Sequence, residues 1–170
     1  FSRASALGSR FGPVLYQLPP NFRRDLNRLE AFLQALPKTW DRRRMRHAIE
    51  FRDRSWYVGE VFQLLKRHDV ALCLHDKRDS PITTPFVGPF AYVRFHGTSG
   101  EYRGSYSVRQ LYRWANELAE QSQDGRPVFA YFNNDPDAVA TSNAATLNAA
   151  LHRVLDITPK RKERRLRRRA

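Results

Sequence analysis

Several side chains in this sequence sit where an apolar β-strand has no use for them. In Phe90-Ala91-Tyr92-Val93-Arg94-Phe95-His96-Gly97 a cation and an imidazole interrupt an apolar run. Counting by two, Tyr92, Arg94 and His96 share one face, and Val93 and Phe95 share the other. Burying an unpaired arginine costs several kcal/mol, roughly, so Arg94 and His96 mark an environment that wants both groups. The same pattern recurs in other strand-like stretches: Glu50 with Arg52, Leu74 with Asp76, and Tyr131 with Asn133, with Asp135 just beyond.

The chemistry open to such a set is proton transfer beside a fixed cation. Glu50 or Asp76 is suited to act as base, and His96 as acid or base. Arg52 or Arg94 is suited to hold an anionic group with two parallel N–H donors. Each residue also has a plain structural use. Glu50 with Arg52 or Arg94 makes a buried ion pair, and His96 before Gly97 makes a histidine satisfied by its neighbours. His75 has the parity opposite to Asp76 and reads as structural. Trp56 reads more readily as packing than as a stacking platform, and Asn133-Asn134-Asp135 serves equally as a turn and cap. Glu50, Asp76, His96 and Asp135 are acceptable metal ligands. No H-x-E-x-H or C-x-x-C spacing supports a metal, and no motif names a cofactor. No serine occupies a strand-to-helix elbow, which removes a serine–histidine triad.

The elements that would carry these residues follow from periodicity. Phe1 to Arg10 reads as the end of a helix turning at Gly8. Pro13–Leu18 is a first strand, stopped by Pro19-Pro20. Asn21 can cap a helix with Leu26, Leu29, Phe32, Leu33 and Leu36 at helical spacing. Asp41–Arg46 is a charged connector, His47–Arg52 a second strand, and Gly59–His68 a helix with Val61, Leu64 and Leu65 inward. Val70–Leu74 is a third strand ending at His75-Asp76, followed by a polar loop with Pro81 and Pro85 and then the fourth strand. Ser107 can cap a helix whose inner face is Val108, Leu111, Ala115 and Leu118. Pro127–Phe132 is a fifth strand, and a helix near Ala138–Leu155 turns Ala140, Ala144, Leu147 and Leu151 inward. Strand–helix alternation with nearly continuous apolar strands implies a parallel sheet covered on both faces. By pattern alone that is an open doubly wound sheet. Ligands in such sheets bind beyond the strands' C-terminal ends, where the polar residues gather. Gln17-Leu18-Pro19-Pro20 after the first strand offers no phosphate-binding glycines, so a nucleotide-binding Rossmann reading is weak.

Bulk composition bounds the rest. A chain of 170 residues, 41% hydrophobic, buries one core and is most simply one domain over 1–157 with a tail over 158–170. It opens on Phe1, so processing or an upstream portion has to be allowed for. Lys+Arg 30 against Asp+Glu 17 gives +13. Residues 160–169 hold eight basic side chains and Glu163, a net +7 that leaves +6 for the remainder. Cys73 is the single cysteine, so it forms no internal disulfide and fits a buried thiol. With no apolar run of about 18 residues and no signal segment, a soluble cytoplasmic protein is expected.

Taken together, the stretches resemble the YecE-like family, the domain of unknown function 72. The resemblance rests on Gly12–Pro20, on Glu50-Phe51-Arg52 with Ser55-Trp56, and on Tyr92–Gly97. Tyr102, Gly104, Tyr106, Tyr131–Asp135 and Asn143-Ala144 continue it, over about 12–151. It implies a TIM-type β/α barrel in place of the open sheet. With about five parallel strands here, it also implies an incomplete C-terminal portion, roughly the first three of eight strands being absent. The family's recurring positions map to Gln17, Glu50, Arg52, Trp56, Arg94, His96, Asn133, Asn134 and Asp135. The resemblance transfers no reaction.

Two readings of function follow. One is an enzyme acting on an anionic phosphoester or sugar phosphate at a barrel mouth, with Arg94 and His96 facing Glu50 and Arg52. In it Glu50, His96 and Asp76 move protons, while Gln17, Arg52, Trp56, Arg94, Asn133, Asn134 and Asp135 bind substrate. The other is a non-catalytic nucleic-acid-binding module using the basic tail, Lys160, Arg161, Lys162, Arg164 and Arg165 among it. A solvated terminus is that tail's plain alternative, since no aromatic residues are interleaved.

Overall fold

The computed structural model describes residues 4–79, 85–122 and 125–157. These residues build an α/β fold of five parallel strands with helices, together with one short antiparallel hairpin. The chain divides into two compact units, Phe1–Cys73 with Thr84–Pro89 and Leu74–Thr83 with Phe90–Ala170.

In the first unit a 3-10 segment, Ala4–Arg10, bends at Gly8 as expected. β1 (Val14–Gln17) pairs in parallel with β4 (His47–Glu50), which pairs in parallel with β5 (Val70–His75). All four residues of β4 and all six of β5 are buried, as expected of parallel strands covered on both faces. Between β1 and β4 lies α1 (Leu26–Gln34), which buries Leu29 and Leu33. Its cap is Asp25 rather than Asn21: the Asp25 carboxylate accepts from the Arg28 N–H at 3.0 Å. The cap lies four residues later than the asparagine because Leu26, not Phe22, opens the apolar periodicity. α2 (Gly59–Arg67) buries Val61, Leu64 and Leu65, matching the pattern read from the sequence.

The charged connector is in fact a hairpin. β2 (Thr39–Trp40) pairs antiparallel with β3 (Arg43–Arg44), and Asp41 and Arg42 form the two-residue turn with φ of 47° and 61°. Two successive positive φ values are those of a type I′ turn, whose twist suits a tight hairpin.

In the second unit β6 (Ala91–Phe95) and β7 (Val128–Phe132) pair in parallel, with Arg94 opposite Tyr131 and Phe95 opposite Phe132. α3 (Val108–Ser122) and α4 (Val139–Ile157) pack on each other and on β7. Alternation decides the faces. Phe95 points to the helical side, stacked on Phe132 at 4.5 Å and edge-on to Trp114 of α3 at 5.1 Å. Tyr92 and Arg94 therefore lie on the other side, where Tyr92 and Tyr131 stack at 5.0 Å. α3 buries Leu111, Ala115, Leu118 and Ala119, but Val108 is 60% exposed because it is the first helical residue. On α4 the inward face runs through Ala140, Asn143, Leu147 and Ala150; Ala144 is exposed. The asparagine takes the place that apolar periodicity gives to alanine, and it does so to make hydrogen bonds.

Candidate functional site

Two polar clusters occupy strand ends, one in each unit. In the first unit Glu50 ends β4 in register with Gln17 of β1, and the Leu18 N–H donates to the Glu50 carbonyl at 2.9 Å. The Glu50 carboxylate is fully buried and forms a close ion pair with the Arg52 guanidinium, whose side chain is 6% exposed. Arg52 also donates to Gln17 Oε1 at 3.3 Å, and Cys73 Sγ donates to Glu50 Oε2 at 3.5 Å. The result is a cation held in one orientation from two sides. Such a pair is a poor source of net stability, because desolvation offsets its attraction, yet it fixes a guanidinium firmly.

Trp56 closes this region by packing. It is 1% exposed, lies parallel to Phe51 at 4.7 Å, and donates its indole N–H to the Phe22 carbonyl at 2.6 Å. Asp53, before it, caps a short 3-10 turn; hydrogen bonds from Ser55 hold its carboxyl below the ordinary range. His47, read in the sequence only as a strand residue, is buried with Nε2 donating to the Pro37 carbonyl at 2.8 Å and Nδ1 3.3 Å from the Tyr16 hydroxyl. Burial raises the Tyr16 phenol above its usual value.

The second unit holds the denser network. Asp76 follows β5, and one of its carboxylate oxygens accepts the His96 backbone N–H at 2.6 Å. The other accepts a short hydrogen bond from the Tyr106 hydroxyl, which itself accepts the Gly97 N–H at 2.6 Å. Burial, with the negative Asp76 next in effect, pushes the Tyr106 phenol far above its usual value and keeps it a donor. The His96 ring is fully buried, with Nδ1 3.6 Å from Asp76 Oδ1 and edges toward His75 at 5.9 Å and Tyr102 at 5.1 Å. His75 is buried in β5. Gly97 sits at φ 86°, and a Cβ there would run into the Arg103 carbonyl, so the loop closes on itself only with glycine. Lys77 reaches the Tyr102 hydroxyl at 3.3 Å, and Arg94 is half-buried.

Among the other expected positions, Asn133 continues β7 by donating its N–H to the Phe95 carbonyl at 2.8 Å. Asn134 is fully buried: Nδ2 donates to the Gly104 carbonyl and to Asn143 Oδ1, both at 2.9 Å. Asn143 also accepts the Tyr106 N–H at 3.2 Å and donates to Ser105 Oγ at 3.0 Å. These two asparagines thus position the segment that presents Tyr106. Asp135 is exposed and opens the 3-10 turn Pro136–Ala138 without a side-chain cap. The family resemblance includes Tyr106 and Asn143 without giving either a role; the polar residue at 143 within an apolar helical pattern is the one signal in the sequence, and nothing local marks Tyr106. Among the described residues no three His, Cys, Asp or Glu side chains converge as a metal-binding group, and no helix is long and apolar enough to cross a membrane. Lys160, Arg161, Lys162, Arg164 and Arg165 lie outside the described residues.

A chain of the DUF72 family from Thermotoga maritima is similar in structure, with a TM-score of 0.66 and 25% identity over 81% of this chain. A DUF72 family protein from Enterococcus faecalis is similar with a TM-score of 0.63 and 20% identity over 82% of this chain. This chain spans 56% and 58% of the length of those two proteins. No curated protein matches it. The family profile described as "Protein of unknown function DUF72" matches residues 1–166, and the chain belongs to that family.

Proposed function

We propose that this chain is part of a β/α-barrel enzyme acting on an anionic substrate, of the phosphoester or sugar-phosphate class, at the C-terminal ends of its strands. The observation that carries this reading is the pairing of Asp76 with His96. A carboxylate already fixed by two donors lies beside an imidazole, and this is the arrangement that orients a histidine for proton transfer. Tyr106 and the His96 N–H hold the carboxylate, so it costs little reorganisation when the imidazole changes charge. Arg94, half-buried on β6 two residues before His96, supplies the cation for the anionic group.

In the first unit the roles divide differently from a simple base-and-clamp pair. Glu50 is engaged by Arg52 and by the Cys73 thiol, so it acts by orienting the Arg52 guanidinium. Arg52 with Gln17 is then a prepared anion contact at that unit's own strand end. Trp56, packed on Phe51, supports that strand end.

The test is a panel of phosphate monoesters, diesters and sugar phosphates, assayed with and without added divalent cations. His96→Gln lowers kcat by at least about 100-fold, while Arg94→Gln acts mainly on KM. Retention of an activity by both variants, or absence of binding and turnover across the panel, overturns the reading.

A further inference from the structure

The β2–β3 hairpin leads into the N-terminal end of β4, whereas Glu50 of the same unit stands at that strand's C-terminal end. Residues 38–46 carry Lys38, Arg42, Arg43, Arg44 and Arg46 against one acid, Asp41. All of these side chains are exposed. A run of this charge is ordinarily a solvated face. Three features make it more.

The first is register. Trp40 stands directly opposite Arg43, so an indole and a guanidinium share one face of the ribbon with neighbouring Cβ atoms. The second is anchoring. Thr39 and Arg44 form the next pair, on the opposite face, and Arg44 reaches Asp69 Oδ2 at 3.0 Å. The turn is held by backbone geometry, with Asp41 and Arg42 both at positive φ. Among the described residues Arg42 and Arg43 make no ion pair, so both guanidinium groups are available to an anion. The third is the exposure of the indole. Trp40 is 39% exposed and lines a depression with Phe11, Arg43 and Met45.

We infer that this hairpin is a binding surface for single-stranded nucleic acid, with a base stacked on Trp40 and the flanking phosphates met by Arg42 and Arg43. An unpaired strand is the polyanion that presents both a π-face and a phosphate at this spacing; a duplex hides its base faces. An anionic membrane is the less suitable partner. Asp41, one of the two turn residues, would be pressed against the charged plane.

The experiment titrates the full chain into fluorescein-labelled oligo(dT) and oligo(U), a duplex of equal length, and vesicles of equal parts phosphatidylglycerol and phosphatidylcholine. Binding of the single strands is expected to exceed that of duplex and vesicles, and the two oligonucleotides separate a DNA from an RNA preference. Trp40→Ala should weaken it by about 5- to 100-fold. Arg42→Glu with Arg43→Glu should reduce the slope of log affinity against log salt by about 1.4, at roughly 0.7 per phosphate contact. Arg109→Glu with Arg113→Glu on α3 changes net charge equally and should leave that slope unchanged. The inference is overturned if neither oligonucleotide binds, if duplex or vesicles bind as tightly, or if the hairpin variants match the wild type. It is equally overturned if the α3 variant loses as much as the hairpin variant, since binding would then follow net charge alone.

Discussion

The Tyr106 hydroxyl donates to the carboxylate of Asp76, thirty positions earlier in the chain. The same oxygen accepts the Gly97 N–H at 2.6 Å, so one phenol ties the loop after β5 to the loop after β6. Asp76 completes the clasp from its other oxygen through the His96 N–H. His96 is thereby fixed at its backbone with its ring Nδ1 3.6 Å from the same carboxylate, and the geometry that makes it a proton-transfer candidate depends on a residue well outside its own strand.

Removing that oxygen should be felt directly. Tyr106→Phe keeps the ring contacts with Phe95 and Phe132 but leaves the Gly97 N–H and an Asp76 oxygen without their partner. A buried group left unsatisfied costs about 1–3 kcal/mol. For a chain of this size that lowers the melting temperature by roughly 2–12 °C. A melt unchanged within a degree would show that water replaces the hydroxyl and that the clasp does not contribute.

The same phenol gives a pH signature. Burial and Asp76 raise its folded-state pKa above the unfolded value near 10. Below pH 10 both states hold the proton, so the contribution is complete and flat. Above it the unfolded chain releases the proton while the folded chain keeps it. Stability therefore falls as pH rises, by about 1.4 kcal/mol per pH unit at most. Tyr106→Phe lacks this loss, so the stability gap between wild type and variant should be constant from pH 7 to 9 and narrow toward pH 11. Denaturant titrations at each pH measure it; a constant gap to pH 11 would mean the folded phenol titrates normally.

How much of this was legible beforehand depended on the range of the interaction. Parity alone set Arg94 and His96 apart, and Glu50 with Arg52, because alternation along one strand is a local rule. The parallel strands and both long helices followed from apolar runs and spacing. The hairpin did not, because Asp41-Arg42 replaces the usual Asn-Gly of a type I′ turn and four basic residues mask a two-residue strand. Helical periodicity selects apolar side chains and so points to Ala144, whereas Asn143 faces inward to bond Tyr106, Ser105 and Asn134. Tyr106 itself lay beyond reach, since pairing it with Asp76 requires knowing how two loops meet.

At the first unit's strand end, the prediction concerns a buried ion pair. Glu50→Gln removes the negative charge and leaves the Arg52 guanidinium buried beside neutral groups. Breaking such a pair from one side costs about 3–5 kcal/mol, whereas replacing both members by apolar residues of similar volume is often neutral. Urea midpoints should accordingly rank wild type close to Glu50→Leu with Arg52→Met, and both well above Glu50→Gln. If the single variant is as stable as the double, Arg52 swings to solvent and is not the fixed cation described here.

Gly97 offers the most local test, because it has a matched control. Gly97 and Gly125 both have positive φ, 86° and 76°, so alanine at either suffers the same class of backbone strain, about 1–2 kcal/mol. They differ in what the added Cβ meets. At Gly125 nothing among the described residues lies within 4 Å, but at Gly97 the methyl collides with the Arg103 carbonyl, which the Ser99 N–H bonds at 3.2 Å. That backbone has little room to yield, since Gly97 N–H is held by Tyr106 and the His96 carbonyl accepts the Tyr102 N–H at 2.6 Å. Gly97→Ala should therefore destabilise the chain by more than Gly125→Ala, and the excess should include displacement of the loop that covers His96. Hydrogen exchange separates the two effects. In Gly97→Ala the amides of His96, Gly97 and Tyr102 should lose protection together, while in Gly125→Ala they should keep it. Equal protection in both variants would mean that the loop holds no rigid relation to His96, and the imidazole would then lack the fixed setting that proton transfer requires.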